Sequence, residues 1–187
     1  MHQKGLSAGG FVSYDGSIME TRWTPRVTVA AILEQDGKFL LVEEHQSRGL
    51  VLNNAAGHLD IGESLVQACV REVLEETAYD FTPEALVGVY LSRYQGHDPR
   101  KGQHRDLTFL RFTFCGKLGA FHPERELDSP IERTVWMTPE EMRATAARHR
   151  SPMVLRSLDD YLRGSRFPID TIYADASVFN PSALDQR

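Results

Sequence analysis

Between residues 25 and 165 the apolar positions change period several times, and each change marks an element. "RVTVAAIL" and "KFLLVEE" are short runs rich in β-branched and aliphatic residues, joined by "EQDG". Asp36-Gly37 is the kind of pair a tight hairpin turn favours, so a hairpin opens the folded part of the chain. Further strands are expected at "ALVGVYLSRY", "LTFLRFTFCGKL" and the short "RTVWM", with "QGHDPRKGQHRD" as a polar loop between the first two.

Three stretches read as helices. Ser64 followed by Gln67 is a capping-box pattern, and no Gly or Pro interrupts residues 65 to 77. At about 100° per residue, Val66, Val70, Val73 and Leu74 gather on one side, while Glu72, Glu75 and Glu76 fall on the other. "TPEE" predicts a second helix capped by Thr138, with Pro at its first position and Glu141 completing the box. A third runs from Ser151-Pro152 to about Gly164. The pattern gives one domain over residues 25–165, an N-terminal tail over 1–24 in which Met19 offers a later start, and a C-terminal tail over 166–187.

Composition narrows the class without changing these elements. At 41% hydrophobic and 25% charged, the 187 residues suit one soluble core. A net charge of -5 gives no general attraction to a nucleic-acid polymer or an anionic membrane. With no apolar run of membrane-spanning length and no secretory signal, the expected location is cytoplasmic. Cys69 and Cys115 lie in apolar segments without metal-ligand spacing and read as buried free thiols.

The acidic face of the first helix is a poor choice for local stability. Like charges three and four apart cost a few tenths of a kcal/mol per pair, and Glu near a helix C-terminus opposes the dipole. A solvated charge run is one explanation. The other is a platform for Mg²⁺, a hard ion that takes carboxylate oxygens and keeps several waters. The wider spacing favours the platform: Gly57, five residues, Glu63, seven residues, then Arg71-Glu72-Val73-Leu74-Glu75-Glu76. This resembles the Nudix box, G-x5-E-x7-R-E-U-x-E-E-x-G-U, departing from it at Ala78 and Tyr79. Alanine where the family has glycine puts the helix exit in question and removes no chemical group.

Outside the box, "PRVTVAAILEQDGKFLLVEE", "AAGHLD", "FLRF" and "RSPMVLRSL" resemble the phosphatase NudJ branch of the Nudix hydrolases, over roughly residues 25 to 170. The resemblance implies the α/β Nudix fold, a mixed β-sheet sandwiched between α-helices. It also implies Mg²⁺-dependent hydrolysis of a phosphoanhydride, with Mn²⁺ able to substitute. On this resemblance Glu72, Glu75, Glu76 and the backbone carbonyl of Ala56 are the metal ligands, while Glu63, Arg71 and Gly57 support them. Water is the nucleophile, Glu76 its first candidate base and Glu132 the second. Glu132 reads equally as an exposed loop acid, and Asp128 is a weaker candidate.

Other residues are less specific. His58 reaches phosphate or is merely structural; Arg93 and Arg111 suit phosphate or surface pairing. Tyr90, Phe112 and Phe109 stack a substrate ring or fill the core. His97, Lys101 and His104 close over substrate or belong to a solvated loop. The expected partner is a small phosphorylated molecule: a nucleoside di- or triphosphate, or a pyrimidine pyrophosphate of the thiamine-pathway type. The protein is expected to be a monomer or homodimer. The alternatives are a non-catalytic nucleotide sensor on the same fold, or an enzyme for ADP-ribose and other dinucleotides.

Overall fold

The Asp36-Gly37 turn closes as its residues require: both have positive φ, 51° and 76°, which the following glycine adopts without strain. It appears in a computed structural model that describes residues 11–12, 18–19, 23–47, 49–98 and 103–180. The strands are β1 (Phe11–Val12), β2 (Ile18–Met19), β3 (Arg26–Ile32), β4 (Glu34–Gln35), β5 (Lys38–Gln46), β6 (Gly49–Asn53) and β7 (Ala56–His58). After helix α1 (Leu65–Thr77) come β8 (Tyr79–Asp98), β9 (Gln103–Phe121) and β10 (Ile131–Met137). Helices α2 (Pro139–Ala144) and α3 (Met153–Leu162) and the short β11 (Phe167–Pro168) follow.

A mixed sheet runs in the order β11-β8-β9-β3-β7, with β3 parallel to β9 and antiparallel to β7. The second sheet is antiparallel: β10 takes one edge of β5, and β4 and β6 pair along the other. The chain therefore leaves one sheet at the end of β3 and turns through the hairpin into the other. Side chains alternate between two cores. Val29, Ala31, Leu40, Val42 and Phe114 pack with Cys69 and Val73 of α1. Ile32, Phe39, Leu41 and Cys115 pack with Met142 of α2 and Val154 and Leu158 of α3. Helices thus cover both faces, which is why β3 is buried from Thr28 to its end and reads as a continuous apolar run. Both cysteines are buried and free.

All three helices form where the sequence places them. Ser64 and Thr138 each close a full capping box, and α3 is followed by Gly164 at φ 85°. The buried stripe of α1 is rotated from the expected one: Ala68, Cys69, Val73 and Thr77 are buried, while Val70 and Leu74 are only partly so. The predicted polar loop over 95–106 is corrected. Gln95–Asp98 and Gln103–Asp106 extend the β8–β9 ladder, and Asp106 accepts hydrogen bonds from Arg93 and from Gln95, the latter at 3.1 Å. Lys101 and the side chain of His97 lie outside the described residues, and His104 is exposed.

The expected C-terminal tail docks in part: Phe167 and Pro168 pair with Leu86 and Ala85, and Ile169 and Ile172 pack on the α1-side core. In the expected N-terminal tail, β1 pairs with β2. Among the described residues, no helix is long and apolar enough to cross a membrane.

Candidate active site

Strand β7, the loop after it and α1 bring the box residues together. Ser64 starts the helix, which carries Arg71, Glu72, Glu75 and Glu76 in its last two turns. Arg71 is the hub. Its Nε and Nη2 donate to the two oxygens of Glu63 at 3.0 and 2.7 Å, a planar fork on a planar carboxylate. Its Nη1 donates to Glu72 at 2.7 Å and Glu75 at 3.0 Å, and Nη2 also donates to the His58 carbonyl at 3.0 Å. One cation thereby holds three acids and the backbone of the loop. The bond from Arg71 depresses the pKa of Glu63, while the three acids raise that of Arg71 itself.

Gly57 has a spatial reason to lack a side chain. A Cβ there would stand 2.0 Å from the Glu72 carboxyl carbon, so the acid occupies the room that any other residue would need. Glu76 is held from the other side: its Oε2 accepts the Ala56 N–H at 2.8 Å. Burial, followed by the charges of Glu72 and Glu44, pushes the Glu76 carboxyl up to about 8. Glu72 is also raised, chiefly by burial. Such acids are short of positive charge.

The donor set fits a hard divalent cation, since it consists of carboxylate oxygens and includes a half-buried acid whose ionisation a cation would favour. Among the described residues, no three acidic, His or Cys side chains are close enough to form a closed cage. An all-protein cage is unnecessary for Mg²⁺, which binds through one or two carboxylates and fills its other positions with water and phosphate. Glu72, Glu75 and Glu76 are the carboxylates that α1 brings to this place.

Several expected contacts are placed elsewhere. Glu132 pairs with His45 at 2.9 Å. His45 follows Glu44 on β5 and so points from the opposite face of that strand. Asp128 contributes backbone: its N–H donates to the Glu75 carbonyl at 3.0 Å, pinning the loop before β10 onto α1. Tyr90 is buried and donates its hydroxyl to Asp160 of α3 at 3.0 Å; Phe112 packs on the α1-side core. Both make the packing contacts of the core alternative that the sequence also offered. Arg93 forks onto the exposed Asp106 across the hairpin. His58 is exposed, its ring 6.3 Å from that of Phe109. Arg111, beside Tyr90 in the β8–β9 ladder, is held below the ordinary guanidinium range by burial and by the charge of Arg150, against the opposing charges of Glu76 and Glu44.

Sequence reasoning missed Glu44, which is buried and accepts from Asn53 at 3.3 Å, Gln46 at 3.0 Å and Arg150 at 3.0 Å. The available signal was an acid pair ending the apolar strand "KFLLVEE". Its neighbour Glu43 faces the other way, where Arg133, at 2.8 Å, and Arg148 hold it.

The NUDIX domain matches residues 23–157. Phosphatase NudJ of Escherichia coli strain K12 is 36% identical over 148 residues, covering 79% of this chain and 90% of that protein. A NUDIX hydrolase of Nitrosomonas europaea superposes with a TM-score of 0.71 at 46% identity, covering 81% of this chain and 98% of the other. A UDP-X diphosphatase, 19% identical, shares the fold with a TM-score of 0.58 over 79% of this chain and 68% of its own.

Proposed function

The chain belongs to the NUDIX domain family of phosphohydrolases, and from that premise we propose that it uses Mg²⁺, with Mn²⁺ as a substitute, to release orthophosphate from nucleoside di- or triphosphates or from a small pyrimidine pyrophosphate. The observation that carries this reading is the Arg71 hub, with Glu63, Glu72 and Glu75 within 3.0 Å and Glu72 filling the space over Gly57. Members of the family generally use a divalent metal. The name phosphatase carried by the NudJ relatives supports terminal phosphate release.

Glu72, Glu75 and Glu76 would hold the ion. When bound, it supplies positive charge that neutralises the phosphate chain and makes a coordinated water more acidic. Arg71 fixes two of the acids in one orientation and offsets their repulsion, so that little reorganisation accompanies the reaction. Glu76 ionises once positive charge lies beside it. With one oxygen tied to the Ala56 N–H, its other oxygen, when not committed to the ion, is the group to take a proton from the attacking water. That water forms the new bond to phosphorus, and the bridging oxygen leaves with the rest of the substrate.

A panel of phosphoanhydrides tests the reading, with orthophosphate and pyrophosphate read separately in Mg²⁺ and in chelator. Orthophosphate is the expected main product, chelator should abolish turnover, and Glu75→Gln should lower kcat by at least about a hundredfold. Full turnover without metal overturns the mechanism. Preferential cleavage of ADP-ribose overturns the substrate assignment.

A further inference from the structure

Arg111 sits in the middle of the mixed sheet, on β9, beside Thr28 of β3 and Tyr90 of β8. A guanidinium in such a position needs acceptors, because burying a charged donor without a partner costs several kcal/mol. Yet its Nη1 is buried and has no hydrogen-bond partner. The nearby groups explain why. Tyr90, its neighbour in the ladder, has its hydroxyl on Asp160 at 3.0 Å. Glu44 accepts from Asn53, Gln46 and Arg150, and Glu76 has an oxygen on the Ala56 N–H. Of the two acids whose charges reach Arg111, Glu44 is engaged by other donors at both oxygens and Glu76 at one.

A second unsatisfied group lies on the same face of β9. Thr113 is two positions along the strand and fully buried, and its hydroxyl also lacks a partner. Buried polar groups are nearly always paired in folded proteins, so adjacent exceptions mark a place where something else supplies the partner. Guanidinium only donates and stays charged at neutral pH, even with burial lowering its pKa to about 10. The missing partner is therefore an acceptor, and an anionic oxygen makes the stronger bond to a guanidinium. Orienting five donors in a rigid fork is what suits arginine, rather than lysine, to phosphate.

We propose that Arg111 is an anion-binding residue of this site, its unpartnered Nη1 donating to a phosphate oxygen of the bound substrate. The inference rests on the reading of the substrate as a phosphoanhydride. It gives the phosphate chain a second anchor, carried by the sheet, while the box acids and their ion hold it from α1. A contact of this kind is present in both ground and transition states, so its loss raises KM more than it lowers kcat.

The test uses the full chain with Mg²⁺ and methylenediphosphonate, a pyrophosphate analogue that is not hydrolysed, titrated by calorimetry. Arg111→Met should bind the analogue at least about tenfold more weakly than the unaltered protein, while Mn²⁺ affinity, read by electron paramagnetic resonance, stays within about twofold. An affinity for the analogue that changes by less than about threefold overturns the proposal. Should Arg111→Met fail to fold, side-chain NMR of the unaltered protein decides: the Arg111 N–H resonances should shift as the analogue is added, and no shift at saturation overturns it. The two readings separate cleanly. A chain that binds the analogue through Arg111 yet releases no orthophosphate from the substrate panel retains this anchor and overturns the proposed reaction; turnover with an unchanged Arg111→Met affinity does the reverse.

Discussion

Glu72 and Gly57 compete for one volume, and the glycine yields it. Gly57→Ala should therefore displace the Glu72 carboxylate, which lies 2.0 Å from the position the new Cβ would take. A displacement on the order of 1 Å at a reacting centre costs about a hundredfold in rate, so kcat should fall by roughly that factor with the circular dichroism spectrum unchanged. An active Gly57→Ala protein would show that this acid does not need its present place. Glu76 allows a prediction in pH. In metal-free protein its carboxyl titrates near 8, above the ordinary 4.5, so between those values the folded state holds more protons than the unfolded one. Stability from this group is complete below about 4.5 and declines as pH rises towards about 8. Thermal melts of metal-free protein should show that decline, and Glu76→Gln should flatten it; added Mg²⁺ should raise Tm more at pH 8 than at pH 5. The box acids were legible in the sequence because a fixed spacing on one helix carries them. The bond from Arg150 to Glu44 spans 106 positions and leaves no local pattern, so the buried side of the site was not.

Helix α1 ends on a residue of the less suitable kind. Ala78 adopts φ 58°, ψ 21°, the left-handed conformation, and its N–H reaches the Leu74 carbonyl. Glycine adopts that conformation without the Cβ penalty, so Ala78→Gly should stabilise the protein by up to about 1 kcal/mol. Chemical denaturation measures the change, and Mn²⁺ affinity should stay as it was because Ala78 supplies no side-chain ligand. Destabilisation would mean that the helix exit is held by something other than backbone preference. The sequence announced this helix and α2 through their capping boxes, signals confined to four residues. It did not announce β6 and β7. These strands have five and three residues, too few for a period to register, and their pairing partners lie in β5 and β3. The polar ends of β8 and β9 were missed for a related reason: cross-strand pairing of Arg93 and Gln95 with Asp106 overrides the turn-like composition.

At the scale of the molecule, the mixed sheet was expected from the family resemblance, whereas the passage of one hairpin between two sheets had no sequence signature. Helix α1 carries the box acids, β9 carries Arg111 and β5 carries Glu44. The parallel pairing of β3 with β9 has a further consequence, because it matches Arg26 with Phe109 and Ile32 with Cys115, residues 83 apart in each pair. A ribosome adding roughly 5 to 20 residues per second separates their synthesis by about 4 to 17 seconds. During that interval β3 has only the three-residue β7 beside it in its own sheet, and the apolar side of α1 lacks the β8–β9 part of the sheet it packs on. A translation-arrest force profile should accordingly stay flat until β9 has cleared the exit tunnel, then rise in one step. An early force peak, with only α1 outside the tunnel, would mean that the first half of the chain finds structure without its partner strand.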